Sequence, residues 1–161
     1  MADSVAEFGY YHEPMRLTPE ERLKILAFMK SQPMAVISTY DDEAKQPESA
    51  LIAFAETDAL EIVFETDNNA RKYANLLSHP AVAFVIGWDL HKYQTLQYEG
   101  DAREVREEEF EHYKALILRK KTPCTEEFLR PPKARLFKVR PRWIRLSDYT
   151  GDCPVIIEGI I

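Results

Sequence analysis

The chain has 161 residues, a length that fits one domain. It is 45% hydrophobic and 11% aromatic, which excludes a disordered chain, and its net charge of −6 argues against a nucleic-acid surface. Cys124 and Cys153 stand far apart in no metal or redox spacing, so no disulfide framework is expected. No apolar run is long enough to span a bilayer, and Met1–Glu7 is acidic without an apolar signal region, so the expected compartment is the cytoplasm.

Residues 1–16 lack periodicity and are expected to form an arm on a single domain spanning 1–161. Thr18-Pro19-Glu20-Glu21 is a strong helix start: Thr18 suits the N-cap, Pro19 the first helical position, and Glu21 completes a capping box. The helix should run to Ser31–Pro33 with a stripe of Leu23, Leu26, Ala27 and Lys30. The period then changes. Met34–Tyr40, Ser49–Ala55 and Leu60–Thr66 read as three short strands joined by polar turns, the sign of an antiparallel meander.

Asp67-Asn68-Asn69 turns the chain into a short helix, Ala70–Ser78, closed by His79-Pro80. Next, Ala81–Trp88 is apolar nearly throughout, as expected for a strand buried on both faces. Gln94–Val105 is a longer, more polar strand with Gly100 as a bulge or bend. Glu107–Lys121 is a helix whose charges follow its dipole, opening on three glutamates and closing on Arg119-Lys120-Lys121. Ala134–Arg140 and Trp143–Leu146 form a last strand interrupted at Pro141, and the apolar tail Val155–Ile157 should dock on the body. About six strands with three helices in this order predict an antiparallel barrel, closed or split, with peripheral helices.

The short Ala70–Ser78 helix breaks a rule that the Glu107–Lys121 helix obeys. Arg71 and Lys72 stand in its first turn, where the helix dipole disfavours cations. A bound anion would remove the conflict, because helix N–H groups, dipole and both side chains would point at it. The ordinary alternative is a pair of exposed cations matched to Asp67 or Glu65, worth roughly 0–1 kcal/mol.

Other chemical signatures are absent. The sequence has no Gly-rich dinucleotide turn, P-loop or nucleophile elbow, and its five glycines leave a phosphate to be held by side chains and a helix end. His12, His79, His91 and His112 show no ligand spacing and read as surface or capping residues, so no metal site is expected. Glu107-Glu108-Glu109 reads as a solvated face.

Thr66, Arg71-Lys72, Leu76, Pro80, Trp88 and Gln94 form an ordered string along the strands. This string resembles the flavin-binding split-barrel family typified by pyridoxamine 5′-phosphate oxidase. The resemblance is close over roughly residues 33–105 and looser over 136–146. It implies an α+β fold, an antiparallel split barrel with peripheral helices. It further implies a homodimer holding FMN in a groove between two barrels. Arg71 and Lys72 would neutralise the FMN phosphate with Thr66 as a nearby hydroxyl donor. Ser49, Ala50, Leu51 and Ile52 would lie along the flavin, Gln94 would hydrogen-bond its ring, and Trp88 completes the expected cofactor-binding set. Read as ordinary residues, Thr66 caps a helix, Gln94 faces solvent and Trp88 belongs to the core.

The departures are specific. The oxidase has a basic residue at the opening of the strand that here begins near Ser49, and a serine where this chain has Ala70. Its C-terminal Arg-x-His element and terminal Arg-Leu strand find no counterpart after Ser147–Tyr149, so the vitamin B6 substrate site is not expected here. The expected function is that of a small FMN-dependent oxidoreductase with an unassigned substrate and no residue marked as catalytic. The alternatives are a flavin- or haem-binding stress or sensor protein without turnover, and a ligand-free interaction barrel. A deazaflavin is a further candidate as cofactor or electron donor. No nucleic acid or membrane partner is expected.

Overall fold

A computed structural model of the protein describes residues 15–87 and 93–161. Eight strands form one antiparallel sheet that curls into a split barrel with helices outside it. In chain order these are α1 (Pro19–Ser31), β1 (Met34–Asp41), β2 (Gln46–Ala53), β3 (Ala55–Glu56), β4 (Ile62–Asp67), α2 (Arg71–Ser78), β5 (Ala81–Ile86), β6 (Gln94–Glu104), α3 (Phe110–Arg119), β7 (Ala134–Asp148) and β8 (Val155–Ile160). Short 3₁₀ turns cover Glu107–Glu109 and Glu126–Leu129. The strand order is β2-β1-β5-β6-β7-β4-β3, with β8 added to β7.

The N-terminus of α1 forms as its sequence dictates. The Thr18 hydroxyl accepts from the Glu21 N–H while the Glu21 carboxylate accepts from the Thr18 N–H. Its buried face differs from the predicted stripe. Ile25, Leu26, Phe28 and Met29 turn inward, whereas Leu23 is exposed, because the helix docks with its C-terminal half over the barrel mouth. Residues 1–14 of the expected arm lie outside the described residues. Arg16 bridges Ile160, and the Leu17 N–H donates to the Ile160 carbonyl at 3.0 Å, so this segment and the C-terminal strand β8 dock on each other and on β7.

Strand β7 is the spine. It pairs with β6 through Phe137–Asp148, with β4 through Ala134–Val139, and with β8 through Trp143–Asp148. The predicted interruption at Pro141 does not occur. Pro141 sits where β7 exchanges β4 for β8, so its missing N–H costs no bond to either of those strands. Opposite it the β6–β7 register jumps between Glu99 and Gly100, leaving Arg142 as the bulged residue. Gly100 is required there, because a Cβ would collide with the Arg140 carbonyl and meet Val139 Cγ1 at 2.8 Å.

Strand β5 is not buried on both faces. Val82, Phe84 and Ile86 point into the barrel, while Ala81, Ala83 and Val85 are exposed on the outer face, where no element of the described chain covers them. Strand β2 begins at Gln46, ahead of the predicted Ser49, and Leu60 is a turn residue with φ of 64° rather than the first residue of a strand. Trp88 lies outside the described residues.

Inside the barrel, Phe64 stacks on Phe137 at 5.8 Å and Phe84 meets Tyr98 edge-on at 5.6 Å. A second cluster, including Val63, Leu136, Tyr113 and Ile117, seats α3 on the outer side of β4 and β7. Lys120, just past α3, ties that helix across the fold. Its ammonium donates to the Met29 carbonyl, pairs with the buried Glu56 carboxylate and lies over the Phe54 ring. Burial pulls this ammonium below its ordinary pKa, and the Glu56 contact opposes that shift.

The Tyr98 hydroxyl lies 3.1 Å from the Leu60 carbonyl and 2.9 Å from that of Val139, so one buried proton serves two acceptors. Tyr98→Phe should therefore lower stability by about 1–3 kcal/mol. Urea denaturation should show this as a lower midpoint with an unchanged slope.

Candidate functional site

The first turn of α2 stands where the inner face of β1 and β2 meets the free edge of β2. Among the described residues that edge pairs with no strand. No side chain caps α2: Ala70 occupies the N-cap without a side-chain hydrogen bond, and no acidic residue lies in the first turn. The helix is held instead from its middle. Asn75 is buried, and its amide donates to the Thr39 hydroxyl at 3.1 Å and to Glu48 Oε2 at 3.0 Å.

Arg71 and Lys72 open onto a cleft of about 160 Å³. Thr39 of β1 and Glu48, Ser49 and Ala50 of β2 form the facing wall. The Ser49 hydroxyl lies 3.0 Å from that of Ser38 on the neighbouring strand. The structure thus brings Arg71, Lys72, Ser49 and Ala50 together. Along β2, Leu51 is exposed on the outer face and Ile52 is buried in the core.

Two predicted site residues stand elsewhere in the chain. Thr66 is buried near the end of β4, with its hydroxyl donating to the Asp67 carbonyl at 3.4 Å. It lines a different, larger cleft of about 600 Å³, shared with Arg130 and Lys133, and Lys72 is the residue common to both clefts. Gln94 begins β6, and its amide donates to Asp148 Oδ2 at 2.7 Å. The strand register puts it five residues along from Glu99, whose row runs through Ala83 and Ser38 to Ser49. Three strands and five residues separate Gln94 from Ser49 by on the order of 20 Å. One chain does not place both on the same cleft.

The charge partner of Arg71 differs from the two carboxylates that the sequence offered. Arg71 does not pair with Asp67 or Glu65. Asp67 accepts from the Asn69 N–H at 2.9 Å and pairs with Lys133 at 2.9 Å, which together hold its carboxyl below the usual range. Burial pushes the Glu65 carboxyl up, against the nearby charge of Lys72. The partner of Arg71 is Glu48, with Oε1 against the guanidinium but not aligned as a hydrogen bond. The Glu48 side chain is only 9% exposed, whereas that of Arg71 is 78% exposed. Sequence reasoning missed Glu48 and Asn75 because their contacts join residues far apart in the chain. A signal existed: a charged residue in alternation with Ala50 and Ile52 on the inward face of β2.

Among the described residues, no group of three or more His, Cys, Asp or Glu side chains could hold a metal ion. His79 contacts Asp42 at 3.2 Å and packs edge-on against Tyr40. No helix among the described residues is long and apolar enough to cross a membrane.

Fold and sequence together define the class. Residues 22–148 match the pyridoxamine 5′-phosphate oxidase family, and the chain belongs to that family. No curated protein matches the sequence. The structure is similar to that of a pyridoxamine 5′-phosphate oxidase-related, FMN binding protein from Nostoc punctiforme: 12% identity, TM-score 0.61, 90% of this chain and 97% of that one covered. It is also similar to the General Stress Protein 26 of Bacillus anthracis: 20% identity, TM-score 0.62, 78% of this chain and 92% of that one. A third likeness is to a heme binding protein from Mycobacterium smegmatis: 13% identity, TM-score 0.74, 89% of this chain but only 59% of that one. At these identities the likeness is one of fold.

Removing Arg71 would leave the Glu48 carboxylate buried with Asn75 as its remaining side-chain donor. Arg71→Ala should therefore lower stability by about 1–3 kcal/mol, and adding Glu48→Gln should recover most of the loss. Urea denaturation of the two single variants and the double variant measures this coupling.

Proposed function

We propose that this chain is an FMN-binding split-barrel protein that works as a homodimer and as a small flavin-dependent oxidoreductase. The observation that carries the reading is the cationic pair at the uncapped start of α2, beside the free edge of β2. Arg71 and Lys72 would hold the phosphate, with the first N–H groups of α2 as further donors. The unpaired backbone groups of β2 would face the flavin ring. FMN supplies the redox chemistry when bound, and the protein binds, orients and shields it. The donor set fits a phosphate better than a haem, because among the described residues neither histidine nor cysteine lines the cleft.

Size supports a shared site. Ligand pockets run to about 300–1,000 Å³, and this cleft is about 160 Å³, large enough for a phosphate but not for a whole flavin nucleotide. The remaining surface would come from a second copy. The outer face beside the cleft suits one: Leu51, Val36 and Val85 lie in one cross-strand row, with Leu51 60% and Val85 45% exposed. Bulky apolar side chains aligned across three strands are expected where another surface covers them. In such a dimer Gln94 of one copy would reach the flavin held by the other.

Purified protein should show a flavin spectrum and release FMN on denaturation, with turnover when NADH, NADPH or a reduced deazaflavin is supplied in air. Bound flavin without turnover would make it a store or sensor, and a haem spectrum that added FMN does not alter would overturn the reading. Arg71→Ala with Lys72→Ala should weaken FMN binding by about 10-fold to 1,000-fold. Leu51→Asp with Val85→Asp should yield monomers by sedimentation that no longer retain the flavin. Retention of FMN by those monomers would rule out the interfacial groove.

A further inference from the structure

The cations that open α2 are compensated from within. Glu48 projects inward from β2, is nine-tenths buried, and presents Oε1 to the Arg71 guanidinium while Oε2 accepts from Asn75 at 3.0 Å. Its carboxylate therefore stands where the helix end and Arg71 converge, the place the fold offers to an anion. With Glu48 counted, the cleft carries two positive side chains and one negative one.

The two partners of this pair differ in freedom. Glu48 is fixed by the β1–β2 ladder opposite Thr39 and by Asn75. Arg71 is mostly in solvent, and Lys72 reaches toward a second cleft. A phosphate dianion entering the cleft meets a buried like charge, and juxtaposed like charges in an interface are strongly unfavourable. We propose that Glu48 is an internal anion competing for the phosphate position of this cleft, and that a phosphorylated ligand enters only by drawing Arg71 away from its carboxylate. Glu48 is then the residue that sets how far the site prefers a phosphorylated ligand over its unphosphorylated counterpart. For flavins this rests on the FMN reading above; for inorganic phosphate it does not.

The experiment measures Kd for FMN and for riboflavin, and the shift in melting temperature with inorganic phosphate, in wild type, Glu48→Gln and Glu48→Ala. Gln keeps the shape and one acceptor for Asn75; Ala removes the group, so a folding failure in one variant leaves the other. The expected result is that wild type prefers FMN to riboflavin by a smaller factor than either variant does. Each variant should bind FMN about 10-fold or more tighter, with riboflavin unchanged, and should gain stabilisation by phosphate. If FMN binds throughout, but the FMN-to-riboflavin ratio and the phosphate response stay at wild-type values, the inference is overturned and the flavin reading stands. If phosphate stabilises only the variants and no form binds FMN, the flavin reading fails and the inference stands. Absence of both responses in every form overturns both.

Discussion

One strand has to satisfy three neighbours, and the rest of the fold follows from how it does so. β7 keeps β6 on one edge from Phe137 onward and gives its other edge first to β4 and then to β8. A continuous ladder cannot change partners without a break, and the break is built from Pro141, the bulged Arg142 and a glycine on β6 that lets two backbones touch. Diverting the second half of β7 to β8 leaves β4 to end the sheet with β3 on one side, while β2 ends it on the other. The spine forks, and the sheet ends at β3 on one side and at the free edge of β2 beside α2 on the other.

The cleft depends on this geometry more than on its own residues. Arg71 and Lys72 come to face β2 because Asn75, one turn further along α2, is anchored to Thr39 and Glu48 by two side-chain hydrogen bonds. The same carboxylate that helps seat the helix also meets its cationic end. In the proposed reading binding and architecture therefore share a group, and a change at Glu48 would be felt in both. Lys120 shows the contrasting case. It is equally buried and charged, but it is spent on holding α3 against Glu56, Met29 and Phe54.

Much of this was legible where the cause is local. Thr18 and Glu21 are three residues apart and make their own capping box, so α1 begins where the sequence places it. The polar turn, the two cations and His79-Pro80 bound α2 in the same way. Gly100 was readable as marking an irregularity in the ladder, although the extra residue, Arg142, lies on the partner strand. The misreadings came from partners distant in sequence. Ala81 to Ile86 is apolar at every position, and only the assembled sheet shows that alternate side chains face outward. Leu23 has a helical spacing to Leu26, yet the docking angle of α1 leaves it in solvent. Pro141 reads as a strand breaker until the change of partner beside it is known. Within the candidate site, Arg71 and Lys72 announced themselves by breaking a local rule, whereas Glu48 lies 23 residues upstream and is silent until β2 folds under the helix.

The open edge of β2 has a consequence for how the protein behaves in a crowded solution. An unpaired strand is a template for edge-to-edge polymerisation, and such edges are blunted by proline and by charges turned toward the inside of the sheet. Here Pro47 and Glu48 stand side by side on that edge, at the end nearest the turn to β1. Another chain trying to extend the sheet there would have to pack past a proline ring and beside the buried Glu48 carboxylate and its Arg71 partner. The proline and the inward-turned carboxylate thus blunt this edge, while the outer face of the same strand, with Leu51 exposed, is the face the proposed dimer would cover.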